Sequence, residues 1–293
     1  LWVPLAPSWV ISEKYRVVAR LKRNDARQGY DIDIITGAGE KEMAAARKGT
    51  VQDSSLVDPE DPSRRYPIAS LRGDRRGPNC ETIYGLRLWE NEDLVPRPDD
   101  VFQERLYCVR WVTPSGERVY KAVTDADLAR EAKVLALLKE RFAEWQARGY
   151  IPSMKIPEGG DKTEEPRRTR GWTYWHHLFN PRQLLVHGEI LKNIAQLNFV
   201  GLLMLEMGRL GDWDSKLSVW LAVQSDGLGG GLNTFLNQAL NTIFNFTVRG
   251  IKLLENARLA IENKYNTNIK TRAVEILPLD ARDVAYTADF WVT

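Results

Sequence analysis

Cysteine, histidine and net charge are all scarce in this chain. Two cysteines, Cys80 and Cys108, stand in 293 residues, which supplies neither a disulfide framework nor a cysteine-built zinc site within this stretch. A reducing cytoplasm is the compartment that fits. The formal net charge is only +2, so nothing commits the whole surface to nucleic acid, and any DNA contact must be local. No apolar run reaches the roughly 18 residues of a bilayer span; the nearest, residues 200–207, is interrupted by Glu206, and no membrane partner is expected. No secretory signal is visible, so the Asn245-Phe246-Thr247 sequon reads as chance. A nucleophile elbow, a histidine–glutamate zinc helix and the Gly-Lys-Ser/Thr ending of a phosphate loop are missing as well. Hydrolases therefore have no positive support.

What is there describes a folded chain. With 43% hydrophobic and 27% charged residues, it has the composition of one large globular domain or two modest ones. Residues 1–78 alternate short apolar runs, at 9–11, 15–18, 30–35 and 66–71, with polar and Gly/Pro breaks. This is the pattern of a small β-rich module, with one short helix predicted over 40–48 from Ala and Met at helical spacing. Residues 79–151 add strands at 102–112 and 118–123, joined by the hairpin turn Thr113-Pro114-Ser115-Gly116. A helix capped by Thr124 or Asp125 follows. Its Leu128, Leu135, Leu138, Phe142 and Trp145 form one packing stripe before Gly149 and Pro152 end it.

Residues 152–170 mix chain breakers with charge and read as a linker, which places a domain boundary there. From 171 to 293 the pattern predicts a long helix at 181–209, a strand or helix at 217–223, and helices at 233–245 and 252–263. Apolar strands follow at 272–279 and 288–292. Helices followed by buried strands imply α/β packing on a parallel sheet. With Leu1 in first place and a final strand that has no tail, both ends read as cuts.

Four features could carry chemistry. Asp226-Gly227-Leu228-Gly229-Gly230-Gly231 has the outline of a cofactor loop before a helix, and a glycine-rich surface loop explains it as well. Asp280 ends a predicted strand, at the edge where α/β sheets place ligands, and also suits a plain turn. His176 and His177 sit beside Trp172, Tyr174 and Trp175; adjacent histidines point different ways, so a loop or helix start fits better than a metal site. Arg72, Arg75 and Arg76, with Arg64 and Arg65 nearby, make a basic patch suited to phosphates, diluted by Asp58, Asp61 and Asp74; a solvated face is the other reading.

Several stretches together resemble the adenine-specific DNA methyltransferases that contain a zinc ribbon and occur in phage-defence loci. They are Val3-Pro4-Leu5-Ala6-Pro7-Ser8-Trp9-Val10-Ile11, Arg72-Gly73-Asp74-Arg75-Arg76, Tyr84-Gly85-Leu86-Arg87-Leu88-Trp89-Glu90, and Asn237-Gln238-Ala239-Leu240-Asn241-Thr242. The most specific is His177-Leu178-Phe179-Asn180-Pro181-Arg182-Gln183-Leu184.

The resemblance implies a Rossmann-like methyltransferase portion over 171–293 with a β-rich, ribbon-like module and a helical insertion. It implies S-adenosylmethionine as cofactor, double-stranded DNA as partner, and other defence-system proteins as further partners. The reaction implied is methylation of the exocyclic amino group of adenine. Asp280 and Ala281 match the acidic turn that contacts the adenine end of the methyl donor. Arg72, Arg75 and Arg76 would contact DNA, and the catalytic Asp-Pro-Pro-Tyr motif is expected just after Thr293, so no catalytic residue is assigned within the chain. One departure stands out. Val57-Asp58-Pro59-Glu60-Asp61 carries aspartates where the family's ribbon has a Cys-x-x-Cys pair, and structural zinc wants thiolates or imidazoles, so a ribbon without metal is expected. The rival expectation is a non-catalytic DNA-binding or scaffolding subunit.

Overall fold

Short apolar runs bounded by turns build the first sheet. The computed structural model describes residues 1–196, 200–220, 222, 233–236 and 239–240. Strands β1 (Val10–Ser12), β2 (Val17–Asn24) and β3 (Gly29–Ile35) form an antiparallel meander in register from Val18 opposite Ile35 to Asn24 opposite Gly29. Helix α1 (Glu40–Ala46) closes one side of it, burying Met43 and Ala46 with Trp9, Ile11, Val17, Val18 and Ile32. The hairpin β9 (Cys108–Val112) and β10 (Arg118–Ala122) adds Tyr120 to the same core.

Between these elements in the sequence lie five further short strands. A three-stranded antiparallel sheet, β4 (Val51–Gln52), β5 (Ser55–Val57) and β6 (Arg65–Pro67), runs into the single turn α2 (Ile68–Leu71). The two-stranded ribbon β7 (Arg75–Arg76) and β8 (Thr82–Ile83) follows.

The helical part begins with α3 (Asp125–Ala147). Thr124 and Asp127 cap it reciprocally, the Thr124 hydroxyl accepting from the Asp127 amide and the Asp127 carboxylate accepting from the Thr124 amide. Leu138, Phe142 and Trp145 are buried against Leu184 of α5 (Pro181–Ile194), whereas Leu128 is half exposed and outside that face. Where the two helices cross, Gly188 faces the Trp145 ring with no room for a Cβ.

Four expectations are corrected. Within residues 152–170, read as linker, α4 (Asp161–Arg170) is helical. It has no apolar stripe to betray it, and charge patterning holds it instead: Asp161 and Glu164 lie in the first turn, and Arg167, Arg168 and Arg170 lie in the last, each complementing the helix dipole. The single helix over 181–209 is two helices, α5 and α6 (Val200–Trp213), which pack together through Ile194, Met207 and Leu210.

Residues 217–220 form neither strand nor helix, because Ser215 and Ser218 hydroxyls bond the local backbone, Leu217 N–H donating to Ser215 Oγ at 3.0 Å. Where a helix is expected to begin at 233, the described residues instead form β11 (Phe235–Leu236) and β12 (Ala239–Leu240), paired antiparallel and anchored by Asp212, whose carboxylate accepts from the Phe235 amide at 2.7 Å. Among the described residues every strand pairing is antiparallel, so the architecture is mixed α/β with small antiparallel sheets and helices. The strands predicted at 272–279 and 288–292 and the helix at 252–263 lie outside the described residues.

Candidate nucleic-acid interface

The turn that joins β5 to β6 is built from the two aspartates singled out above. Asp58 Oδ1 accepts from the Glu60 amide at 2.9 Å, and Asp61 Oδ1 accepts from the Ser63 amide and hydroxyl at 3.1 and 2.6 Å. Asp61 also pairs with Arg64 at 3.1 Å. Carboxylates that take backbone N–H groups in this way close a turn by themselves. They offer a structural zinc neither thiolate nor imidazole, so the metal that the family resemblance implies does not fit this donor set. The second turn, between β7 and β8, is closed by its own backbone, Gly77 N–H donating to Glu81 O at 2.9 Å, with Asn79 N–H capped by the Glu81 carboxylate. Among the described residues no three His, Cys, Asp or Glu side chains converge as a metal set.

The three arginines expected to meet DNA take different positions. Arg75 and Arg76 are exposed on β7, opposite Ile83 and Thr82, and Arg76 donates to Cys80 O at 2.8 Å. Arg72 turns inward to Asp74, giving it Nε and Nη2 at 2.9 and 2.7 Å, while the other Asp74 oxygen accepts from the Gly85 amide. Asp74, held by Arg72, thereby ties the chain before β7 to the chain after β8. Arg64 and Arg65 are paired with Asp61 and Asp53.

The structure adds a contributor that composition concealed. From the basic last turn of α4, the Arg168 guanidinium reaches the exposed Tyr84, one residue past β8, and lies 5.6 Å from its ring centre. Arg168 also pairs with Glu165 at 3.2 Å. Arg170 is close enough to Arg72 for their charges to oppose, and burial pushes its guanidinium down to about 10. Exposed Arg75 and Arg76, half-exposed Arg168 and the Tyr84 ring therefore share one neighbourhood, a cationic edge with an aromatic face.

Two other polar clusters are internal. His177 Nδ1 accepts from the amides of Thr173 and Tyr174 at 3.1 and 3.2 Å, which fixes the proton on Nε2, donated to Glu90 O at 3.0 Å. His176 places its two nitrogens against the carbonyls of Pro152 and Asn91. Two carbonyls favour a second proton on that ring and burial opposes it; burial prevails, holding His176 at about 4, and the same cause takes His177 to about 3. Both residues belong to a one-turn 3-10 helix, Trp175–Leu178, and their rings are fully buried. Beside them Lys216, without exposed surface, lies 5.0 and 5.1 Å from the rings of Trp89 and Trp172 and donates to Glu104 at 2.7 Å. Nothing in the sequence around Lys216 marks it; only the fold brings its partners together.

Asp280, Ala281 and the glycine stretch at 227–231 lie outside the described residues. The chain matches no protein-family model, no curated protein and no solved structure.

Proposed function

We propose that this chain is the DNA-contacting part of an S-adenosylmethionine-dependent methyltransferase that modifies the exocyclic amino group of adenine in double-stranded DNA, within restriction–modification or phage defence. The observation that carries the DNA contact is the cationic edge: Arg75 and Arg76 on a two-stranded ribbon beside Arg168 and Tyr84. A ribbon of this width fits a DNA groove, and guanidinium groups at its rim meet phosphates. Asp74, held by Arg72 and bonded to Gly85, positions the ribbon. The chemistry rests on the family resemblance, as does a Rossmann-like arrangement of residues 171–293.

In such a reaction the target base leaves the stack so that its amino group becomes accessible. What the described residues contribute is placement on the duplex. The cofactor contacts are assigned by the family resemblance to Asp280 and Ala281, outside the described residues. The rival reading, a non-catalytic adaptor, leaned on the exchange of cysteine for aspartate as a sign of decay. The carboxylate-closed turn gives those aspartates a structural use of their own, which supports the enzymatic reading over decay.

Duplex affinity across a salt series tests the contact. The double substitution Arg75→Ala and Arg76→Ala is expected to reduce the slope of log K against log salt by roughly 2, at about 0.9 per lost phosphate contact. An unchanged slope would remove the ribbon from the interface.

A further inference from the structure

We propose that the Tyr84 ring is a stacking platform for an unpaired base, so that the cationic edge takes DNA opened by a gap beside the ribbon in preference to an intact duplex. The proposal rests on the reading of that edge as a DNA contact and adds the form of DNA that the edge selects. Tyr84 stands one residue past β8 and is 42% exposed. Its backbone is fixed on both sides. Ile83 before it pairs with Arg75 across the ribbon, and Gly85 after it donates to Asp74 Oδ1 at 3.1 Å. A Cβ on Gly85 would lie 2.4 Å from Arg72 O and from the Gly73 carbonyl, so the chain here is packed hard against the turn before β7. The side chain is held as well, because the Arg168 guanidinium lies 5.6 Å from the ring centre and its Nη1 donates to the Tyr84 hydroxyl at 3.5 Å. A ring already ordered in the free protein loses little conformational freedom when a base covers it.

The charges near the ring decide what covers it. The Arg168 side chain is 36% exposed, Arg76 engages only a carbonyl, and Arg75 has no ion pair among the described residues. The local carboxylates are engaged: Asp74 by Arg72, Glu165 by Arg168 and Glu81 by the Asn79 amide. An exposed ring with guanidinium groups beside it suits a ligand that brings a flat face and an anion together. Each nucleotide of an unpaired strand does so, its base lying on the ring and its phosphate on a guanidinium. In an intact duplex the base faces are already stacked on one another, and Tyr84 has none to take.

Anisotropy titrations of the full chain against an intact duplex and the same duplex with a short single-stranded gap test this. The gapped form should bind about five- to tenfold more tightly, the low end of what one base gains on an aromatic ring. Tyr84→Phe keeps a ring and should keep that preference. Tyr84→Leu keeps apolar bulk without the π face and should bring the two affinities together, with an unmoved thermal midpoint showing that it is folded. 2-Aminopurine in the gap, whose emission stacking quenches, should dim on the unaltered chain and on Tyr84→Phe and stay bright on Tyr84→Leu. Arg75→Ala with Arg76→Ala should weaken both DNA forms alike; if it weakens neither, the edge is no DNA contact and the reading beneath the proposal fails. If it weakens both while Tyr84→Leu retains the preference and the quenching, the edge binds DNA and the stacking proposal alone is overturned. A gapped duplex held no more tightly than the intact one overturns it too.

Discussion

Protonating His177 would put a second N–H on Nδ1, which already faces two amide donors. Burial disfavours the charged ring above all, so the folded chain holds His177 neutral, at about 3 against an ordinary value of 6.5. The sign follows from linkage: the unfolded chain takes up the proton first, so this stability is complete above pH 6.5 and is lost as pH falls towards 3, at about 1.4 kcal/mol per unit for each such group. His176, held at about 4, adds to the same loss. Denaturant midpoints at pH 7 and pH 5 check this, and equal midpoints would contradict it. Lys216 makes a second residue-scale prediction. Its charge is fully buried between Trp89 and Trp172 and answered by Glu104. Lys216→Ala leaves that carboxylate without its cation and opens a void, and should cost about 3–5 kcal/mol in chemical unfolding; Lys216→Met, which keeps the volume, should cost less.

At the scale of elements, two helical glycines with opposite surroundings predict opposite signs. Replacing glycine by alanine in a helix gains about 1 kcal/mol of propensity. At Gly208 the new methyl meets open space, so Gly208→Ala should stabilise the chain by up to that amount. At Gly188 it meets the Trp145 ring, overpacking costs about 1–3 kcal/mol, and the crossing of α3 and α5 should loosen, giving net destabilisation. Thermal unfolding of the two variants side by side checks both signs. Legibility also differed from element to element. Helix α3 could be read because Thr124, its apolar stripe and Gly149, at φ +74°, all agree. Helix α4 could not, because hydrophobic periodicity is silent where a helix is held by charge order and by contacts at its ends. Strands β11 and β12 were missed because Asp212 and Ser215, about twenty residues earlier, anchor that segment.

For the whole molecule, a net charge of +2 hides an uneven distribution. The cationic edge combines Arg75 and Arg76 with Arg168, more than ninety positions further along the chain. Arg75 and Arg76 are legible as a basic run; Arg168 falls in a segment whose composition reads as linker, since no local rule joins a distant helix terminus to a ribbon. Arg72 is drawn off the free surface locally, by Asp74 two residues on. Swapping Arg168 for alanine should weaken duplex binding without changing its sequence preference, as expected of a phosphate contact; anisotropy on two unrelated duplexes would detect either effect. The central claim, adenine methylation, is tested most directly by incubating the protein that carries this chain with S-adenosylmethionine labelled at the methyl group. Label should appear in duplex DNA and be recovered as methyladenine after digestion. Absence of label from DNA that the protein demonstrably binds would contradict the account and favour the adaptor.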